Sequence, residues 1–310
     1  MKVAILDDYQ NVALKFADWS GVSKRAQIDV FNDHLADPQL LVERLKPYEI
    51  VAVMRERTPL PRAIIERLPN LRMIASNAPR NASIDMAAAQ ARGITVTHSS
   101  YTSTPTVELT WALILGSARH ITSEAAAVRR GEWQHTVGED LAGSTLGVLG
   151  LGSIGTRVAT VAQAFGMNVI AWSQNLTDEK AAAGGAKLVS KEELFRQADV
   201  LSIHLVLSER TRHLVGAAEL ALMKPSARLV NTSRGPIVVE AALIDALNSR
   251  KIAGAALDVY DIEPLPADHP FRKLGRLLAT PHIGYVSRGL YERFYRDMAA
   301  SIAAWLESHH

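Results

Sequence analysis

Short apolar runs alternate with longer amphipathic segments along the first hundred residues of the chain. The amphipathic segments have helical spacing and lie at Pro38–Leu45, Pro61–Arg67 and Ile84–Arg92. Alternation of this kind predicts a parallel sheet covered by helices on both faces. The predicted strands are Val3–Leu6, Ile28–Phe31, Ile50–Met54, Leu71–Ala75 and Ile94–Thr97.

A second block of alternating runs follows a longer apolar helix and a loop from Gly131 to Gly143. The helix is predicted to begin at Thr104-Pro105 and to run through Val107–Ile121 and beyond. Helices are expected between the runs of this block. The block therefore predicts a second parallel sheet. Its predicted strands are Leu146–Leu149, Val169–Trp172, Val200–Leu205, Leu229–Thr232, Ala255–Val259 and Leu277–Thr280.

The segment after the last predicted strand carries one apolar stripe at helical spacing. A single helix with such a stripe buries it against another element, and we expect this one to return to the first block. The predicted domains are therefore 1–100 with 286–310, and 101–285. The stripe consists of Leu290, Phe294, Met298, Ile302 and Trp305.

Composition narrows the classes of function. The formal charge of the 310 residues is only +2, so no strong field favours nucleic acid or a membrane surface as a partner. The chain has no cysteine, which excludes disulfides, thiolate metal sites and a cysteine nucleophile and is typical of a reducing cytoplasm. The start of the chain lacks the features of a signal peptide. We expect a cytoplasmic protein without a metal site.

A glycine-rich turn follows the first strand of the second block. Gly150, Gly152 and Gly155 have the G-x-G-x-x-G spacing, and a predicted helix begins at Ser153. Such a turn lets a pyrophosphate approach the backbone at a helix N-terminus, and we expect Ser153 and Ile154 to contact it. The context predicts an α/β chain of two doubly wound parallel-sheet domains, a Rossmann-type cofactor domain beside a flavodoxin-like substrate domain.

The position expected for a ribose-binding acid is occupied by Ser173, followed by Gln174 and Asn175. No carboxylate at this position would repel a 2′-phosphate, and no arginine beside it would bind one. These three side chains can hydrogen-bond either form of the ribose. The choice between NAD and NADP stays open.

Three predicted strands are each followed by a reactive side chain: Arg234, Glu263 and His282. Ligands of open parallel sheets bind at the carboxyl ends of the strands, so we expect these groups to converge. An imidazole is the natural acid or base near neutral pH, a carboxylate can fix its tautomer, and a guanidinium can bind a substrate carboxylate. Each residue taken alone could equally have a structural role. The histidine could be an ordinary loop residue, the glutamate could close a turn, and the arginine could cap a carbonyl.

The motifs resemble those of the D-isomer-specific 2-hydroxyacid dehydrogenases. The matching segments cover most of Thr104–Gly284, whereas the first hundred residues match loosely. The resemblance implies an enzyme that transfers a hydride between NAD or NADP and a small 2-oxo acid, of the glyoxylate or hydroxypyruvate class, or the corresponding D-2-hydroxy acid. The matching segments are Leu149–Gly155, His204–Leu207 with Thr211, Asn231–Pro236, Leu257–Pro264 and Thr280–Gly284.

The resemblance also assigns roles to residues. It implies that Arg234, Glu263 and His282 are catalytic and that Asp258 faces the nicotinamide. The family usually has glycines in the substrate loop Asn77-Ala78-Pro79-Arg80, where Arg80 could add a cation. Arg55 and Arg57 follow another strand end and could bind substrate or form a solvated rim. The remaining implied cofactor contacts are His204, Leu205, Val206, Thr211, Thr232 and Ser233.

Other functions of related folds stay open at this point. A formate-oxidising relative would pair the histidine with an amide side chain, which Glu263 does not provide. A nucleotide-sensing corepressor could keep the same three residues, but the chain has no added tail for partners. A methyltransferase would not need the three. By analogy with the family, we expect a homodimer through the cofactor domain.

Overall fold

The computed structural model describes residues 1–77 and 81–309. The chain divides into two compact units. The first comprises Met1–Thr102 and Val286–His310, and the second comprises Ser103–Tyr285. No helix in the described part of the chain is both long enough and apolar enough to cross a membrane.

The first unit contains a parallel sheet of five strands. Their burial explains why the sequence shows them as short apolar runs, since every residue of the two strands Ile50–Val53 and Met73–Ser76 is buried. The strands are β1 (Lys2–Ile5), β2 (Gln27–Val30), β3 (Ile50–Val53), β4 (Met73–Ser76) and β5 (Thr95–His98), in the order β2-β1-β3-β4-β5.

Four short helices lie between these strands. Two of them begin at aspartate caps: the Asp37 carboxylate accepts from the Gln39 and Leu40 amides, and the Asp85 carboxylate accepts from the Ala88 amide. The helices are α1 (Ser20–Ser23), α2 (Pro38–Leu45), α3 (Arg62–Ile65) and α4 (Met86–Ala91).

The second unit contains seven parallel strands. The order of strands reverses between the first and fourth of them, which is where the crevice of a dinucleotide-binding sheet opens. The strands are β6 (Thr145–Leu149), β7 (Asn168–Trp172), β8 (Lys187–Leu188), β9 (Val200–Ile203), β10 (Arg228–Asn231), β11 (Gly254–Leu257) and β12 (Leu277–Ala279), in the order β12-β11-β10-β9-β6-β7-β8.

Helices connect the strands of the second unit. Short 3₁₀ turns at Gly235–Ile237 and Pro270–Lys273 complete the connections. The helices are α5 (Thr104–Ala118), α6 (Ile121–Arg129), α7 (Ser153–Ala164), α8 (Asp178–Ala183), α9 (Lys191–Gln197), α10 (Ala217–Leu222) and α11 (Glu240–Asn248).

Alternate strand residues of the second unit enter two different cores. Leu229 packs with Leu201 and Leu257 on one face, whereas Val230 packs with Val148 and Ala256 on the other. A sheet that is buried on both faces needs helices on both sides. The doubly wound topology follows from this arrangement, and the predicted fold class is confirmed.

The C-terminal helix α12 (Arg288–Ser308) belongs to the first unit, where it contacts α1, β4 and β5. The side chains of the predicted apolar stripe are all buried there. The Trp305 indole also donates to Thr95 Oγ1 at 3.1 Å, and Ser99 donates to the Phe294 carbonyl at 3.1 Å. The stripe is therefore part of the core of this unit.

Candidate active site

The glycine-rich turn between β6 and α7 adopts a backbone that glycine favours. Gly150 has φ +102°, in the left-handed region. A Cβ on Gly155 would lie 2.2 Å from the Gly150 carbonyl oxygen, whereas a Cβ on Gly152 would have no atom within 4 Å. Gly155 therefore allows close packing of the turn, and the space at Gly152 is open.

The turn fits a dinucleotide pyrophosphate. Gly152 precedes the 12-residue helix α7, and no side chain caps the first amides of that helix. Free amides and the positive end of the helix dipole attract a phosphate. Ser153 is exposed and Ile154 is half-buried at this helix start. Contact of this turn with a pyrophosphate stays a prediction.

The segment after β7 places three polar side chains at the next strand end. Ser173 is half-buried, and Gln174 and Asn175 are exposed. The Leu176 amide donates to the Ser173 carbonyl at 3.0 Å and closes the turn. These side chains are accessible for the predicted ribose contact, and none of the three carries a charge.

The loop after β9 is held by its own hydrogen bonds. His204 Nε2 lies 2.8 Å from Ser202 Oγ, and Thr211 Oγ1 donates to the Val206 carbonyl at 2.7 Å. Burial lowers the pKa of His204 to about 4, so its imidazole is neutral near pH 7. Val206 is 83% exposed and Leu205 is half-buried, so Val206 is the more accessible of these two predicted cofactor contacts.

Arg234 follows β10 on a loop that buried polar side chains hold in place. Asn231 donates to the Arg234 carbonyl at 2.9 Å and accepts from the Ser233 amide at 3.0 Å. Ser233 Oγ donates to the Leu205 carbonyl. The Thr232 and Thr110 hydroxyls are 2.8 Å apart. Thr232 and Ser233 thus have structural contacts, and their predicted contact with a cofactor stays a prediction.

Glu263 and His282 form the predicted pair. His282 Nδ1 and Glu263 Oε2 are 2.5 Å apart, and the other carboxylate oxygen accepts from the Tyr260 amide at 2.9 Å. A carboxylate on Nδ1 leaves Nε2 as the nitrogen that can act on a ligand. The His282 side chain is 23% exposed, so the imidazole is accessible.

The backbone and a tyrosine orient His282 as well. Its φ of +52° lies in the left-handed region, and its amide donates to the Thr280 carbonyl at 3.0 Å. The Tyr285 ring meets the imidazole edge to face, with 5.5 Å between ring centroids. The peptide bond between Glu263 and Pro264 is cis. The hydrogen bond to Thr280 and the contact with the Tyr285 ring reduce the orientations that the imidazole can adopt.

Asp258 is buried below this histidine and binds its loop. One carboxylate oxygen accepts from Thr280 Oγ1 at 2.6 Å and from the Ile283 amide at 2.8 Å, and the other accepts from the Gly284 amide at 2.7 Å. Burial raises the pKa of Asp258, while these hydrogen bonds lower it. The carboxylate is fully buried, so the structure gives it a positioning role, and its contact with a nicotinamide stays a prediction.

The three predicted catalytic residues follow three adjacent strands. β10, β11 and β12 are neighbours in one parallel sheet, and Arg234, Glu263 and His282 come after their carboxyl ends. Neighbouring strands lie about 4.8 Å apart, so the ends of β10 and β12 are about 10 Å apart. The three loops therefore begin at the same edge of the sheet. A cation, a carboxylate and an accessible imidazole therefore lie at the edge where ligands of such sheets bind.

The first unit holds the residues predicted to bind substrate. Ala78, Pro79 and Arg80 lie outside the described residues. Asn77 is fully buried, accepts from the Arg55 amide at 2.7 Å and contacts Met54 Sδ. Asn77 therefore holds the backbone of Arg55, which has φ +56°.

The two arginines of the first unit have partners of their own. Arg55 Nε lies 3.5 Å from Glu56 Oε2, and its guanidinium lies over the Tyr101 ring. Arg57 donates to the Asp7 carbonyl at 2.8 Å and lies over the Tyr9 ring. Substrate binding by Asn77, Arg55 and the segment 77–80 stays a prediction.

Several supporting residues were missed by reading single motifs. Thr280 and Tyr285 flank His282, and Asn231 fixes the Arg234 loop. Their types and positions beside the reactive side chains were visible in the sequence. Asn231 and Tyr285 contact residues two or three positions away, whereas Thr280 donates to Asp258, which follows another strand. The described residues contain no group of three histidines, aspartates or glutamates that could hold a metal ion.

Comparison with known proteins identifies the chain. Residues 111–284 match the model of the D-isomer specific 2-hydroxyacid dehydrogenase, NAD binding domain. The chain is 41% identical to a glyoxylate reductase of Aeropyrum pernix over 254 residues, which cover 79% of this chain and 76% of that protein. It is 36% identical to a hydroxypyruvate reductase of Thermotoga maritima over 266 residues, which cover 84% and 85% of the two chains.

A solved structure agrees with these sequence matches. The phosphoglycerate oxidoreductase of Vibrio cholerae o395 has a TM-score of 0.93 and 37% identity, and the match covers 99% of each chain. Fold and site together define a nicotinamide-dependent oxidoreductase. The chain belongs to the D-isomer specific 2-hydroxyacid dehydrogenase family. It transfers a hydride between NAD or NADP and a small 2-hydroxy or 2-oxo acid, and the predicted class of enzyme and cofactor are confirmed.

Proposed function

We propose that this enzyme reduces small 2-oxo acids of the glyoxylate and hydroxypyruvate class, with His282 as the proton donor. The observation that carries the proposal is the 2.5 Å contact between His282 Nδ1 and Glu263 Oε2 beside the Arg234 loop. The relatives reported above include a glyoxylate reductase and a hydroxypyruvate reductase, which supports this substrate class.

Each residue of the trio has one task in this proposal. When bound, the nicotinamide supplies the hydride. His282 gives a proton to the carbonyl oxygen of the substrate through Nε2, and Glu263 stabilises the imidazolium and fixes its orientation. Arg234 binds the substrate carboxylate and stabilises charge on the carbonyl oxygen. In the reverse direction, His282 takes the proton of the hydroxyl group.

The residues of the second unit that would hold the cofactor lie along its sheet edge. The turn at Gly150, Gly152 and Gly155 would hold the pyrophosphate. Because Ser173 is uncharged, we propose that the enzyme accepts both NAD and NADP, with affinities within about tenfold of each other. This proposal extends the confirmed use of a nicotinamide cofactor to the choice between its two forms.

An assay of 2-oxo acids tests the proposed substrate class. Glyoxylate, hydroxypyruvate and pyruvate are each supplied with NADH and with NADPH, and oxidation of the cofactor is followed. We expect turnover with glyoxylate and hydroxypyruvate, with either cofactor. Oxidation of formate without reduction of any 2-oxo acid would contradict the proposal in favour of a formate-oxidising enzyme. Cofactor binding without any turnover would favour a sensor.

We also propose that the enzyme is a homodimer through the second unit and works in the cytoplasm. Four large apolar side chains near α6 are exposed, which is typical of surfaces that bind a partner. The absence of cysteine supports a reducing compartment. The exposed side chains are Ile121, Val128, Trp133 and Val137.

A further inference from the structure

The segment Asp261–His269, which will be called the Glu263 loop, follows β11 and leads to the 3₁₀ turn at Pro270–Lys273. Ile262 in this loop is 66% exposed, and the side chain of Glu263 is 32% exposed. A surface loop has many conformations available to it unless contacts restrict it. The position of the Glu263 carboxylate therefore depends on what holds the ends of its loop.

The carboxylate of Glu240 contacts both ends of the Glu263 loop. Its Oε1 accepts from the Asp261 amide at 2.9 Å, and its Oε2 lies 3.2 Å from His269 Nε2. Joining the two ends of a flexible segment removes much of its conformational entropy. One side chain outside the loop thus restricts the segment that carries Glu263.

The ring of His269 is oriented so that it donates to Glu240. Its Nδ1 accepts from the Phe271 amide at 3.2 Å, so the proton of the neutral ring is on Nε2, which faces the carboxylate. The buried Phe271 ring packs against the imidazole, with 4.8 Å between ring centroids. Because both His269 and Glu240 are half-buried, this charge-assisted hydrogen bond is shielded from water.

Glu240 itself lies on a rigid support. It is the first residue of α11, whose Leu243 and Leu247 are buried in the core of the second unit. The preceding Val239 amide donates to the Val215 carbonyl at 2.9 Å. A carboxylate at the start of a helix is also favoured by the helix dipole. The position of the Glu240 carboxylate is therefore well defined.

The backbone that Glu240 holds also touches the Arg234 loop. A Cβ on Gly235 would lie 2.1 Å from the Tyr260 carbonyl carbon and 2.6 Å from the Asp261 nitrogen, so Gly235 packs directly on this peptide. The Tyr260 amide donates to Glu263 Oε1 at 2.9 Å. A shift of the peptide would therefore reach both Glu263 and the loop of Arg234.

We propose that Glu240 is a positioning residue for the reaction. Its carboxylate, held by His269, keeps the Glu263 loop in the geometry in which Glu263 pairs with His282. Glu240 acts through Glu263 and not on the substrate. This role rests on the proposed function of the His282–Glu263 pair in proton transfer, where a displacement of about 1 Å can lower the rate about 100-fold.

Three variants test the role of Glu240. Glu240→Ala removes both contacts, whereas Glu240→Gln keeps an oxygen that can accept from the Asp261 amide. Glu219→Ala is the matched control, because Glu219 lies in the first turn of α10 and its side chain is 17% exposed, close to the 18% of Glu240. Glu219 likewise accepts from a backbone amide, that of Gly216 at 3.0 Å, and from a cation, Lys191 at 2.9 Å. Its helix carries none of the reactive side chains.

Steady-state kinetics with hydroxypyruvate and saturating NADH give the first readout. Glu240→Ala should lower kcat about tenfold or more while KM and the dissociation constant of NADH stay within about threefold, because proton transfer is impaired and binding is not. Glu240→Gln should recover most of kcat, and Glu219→Ala should match the unchanged enzyme. A kcat of Glu240→Ala equal to that of Glu219→Ala would overturn the proposal.

Proton NMR of the protein without substrate separates this proposal from the proposed function. The His282 Nδ1 proton lies in the 2.5 Å contact with Glu263, and its downfield resonance is identified by its absence in His282→Ala. We expect the resonance to be lost in Glu240→Ala and kept in Glu240→Gln and Glu219→Ala. Persistence in Glu240→Ala would overturn the positioning role. Loss there, in a protein that reduces no 2-oxo acid, would support the positioning role and refute the proposed substrate class.

Discussion

At the scale of single residues, Asp258 determines where His282 lies. Its carboxylate is the only described acceptor for the Ile283 and Gly284 amides, and it accepts from Thr280 Oγ1 as well. Asp258→Ala would leave the two amides without this partner, so we expect the free energy of unfolding to fall by about 2 kcal/mol or more. Denaturant titration measures this change.

A neighbouring carboxylate provides the control for this prediction. Asp261 is exposed, and Asp261→Ala should change the free energy of unfolding by less than about 0.5 kcal/mol. Equal stability of the Asp258 and Asp261 variants would show that the carboxylate of Asp258 is not needed to hold the His282 loop.

Candidate functional residues can be predicted from the sequence where a reactive side chain directly follows a predicted strand. His282, Glu263 and Arg234 each come directly after an apolar run, and the structure pairs the first two. The sequence does not show that Asp258 binds the His282 loop, because that contact joins residues 25 and 26 positions apart on separate strands.

At the scale of elements, two glycines in the turn between β6 and α7 serve different functions. Gly155 allows close packing of the turn, and Gly152 leaves room for a ligand beside the backbone. Gly155→Ala should destabilise the protein by about 2 kcal/mol or more, because its Cβ would lie 2.2 Å from a carbonyl oxygen. Gly152→Ala should leave stability nearly unchanged and weaken the cofactor about tenfold, because the methyl group occupies the approach to the backbone.

Two measurements on each variant check this pair. Thermal unfolding reports stability, and fluorescence titration with NADH reports cofactor affinity. If Gly152→Ala binds NADH as well as the unchanged protein, the pyrophosphate does not approach the backbone at this turn.

The long strands and helices were predictable because buried parallel strands read as apolar runs. Several short helices were predicted too, among them α3 and α4, but other short elements were not. The sequence pattern missed α1, α8 and the two-residue strand β8, since so few residues carry no periodic signal. The pattern also extended α5 past its true end at Ala118, because the left-handed backbone of His120, where α6 starts, has no clear sequence marker.

At the scale of the whole molecule, the proposed homodimer depends on the exposed surface near α6. Trp133 is 77% exposed and Val137 is 90% exposed. Replacing both by glutamate should produce a monomer, because charged groups would be buried in the apolar contact. Light scattering after size exclusion gives the mass. Leu40→Glu, an exposed apolar residue of the first unit, should stay dimeric.

Either of two masses would contradict the dimer proposal. A monomeric unchanged protein would exclude it, and a dimer that persists in the double variant would place the interface elsewhere. The sequence could predict the return of the last helix to the first unit from its apolar stripe, because an unpaired stripe must be buried. It could not predict an interface, since an exposed apolar residue looks the same as a core residue until its burial is known.

In the proposed reaction His282 transfers the proton, while other residues hold the cofactor. Turnover of hydroxypyruvate by His282→Ala, measured beside the dissociation constant of NADH, tests it most directly. We expect turnover to fall by about 100-fold to 10,000-fold, the usual contribution of a general acid, with NADH affinity almost unchanged. His98→Ala, which removes an exposed histidine of the first unit, should keep full activity. Turnover of His282→Ala within about threefold of the unchanged enzyme would contradict the account.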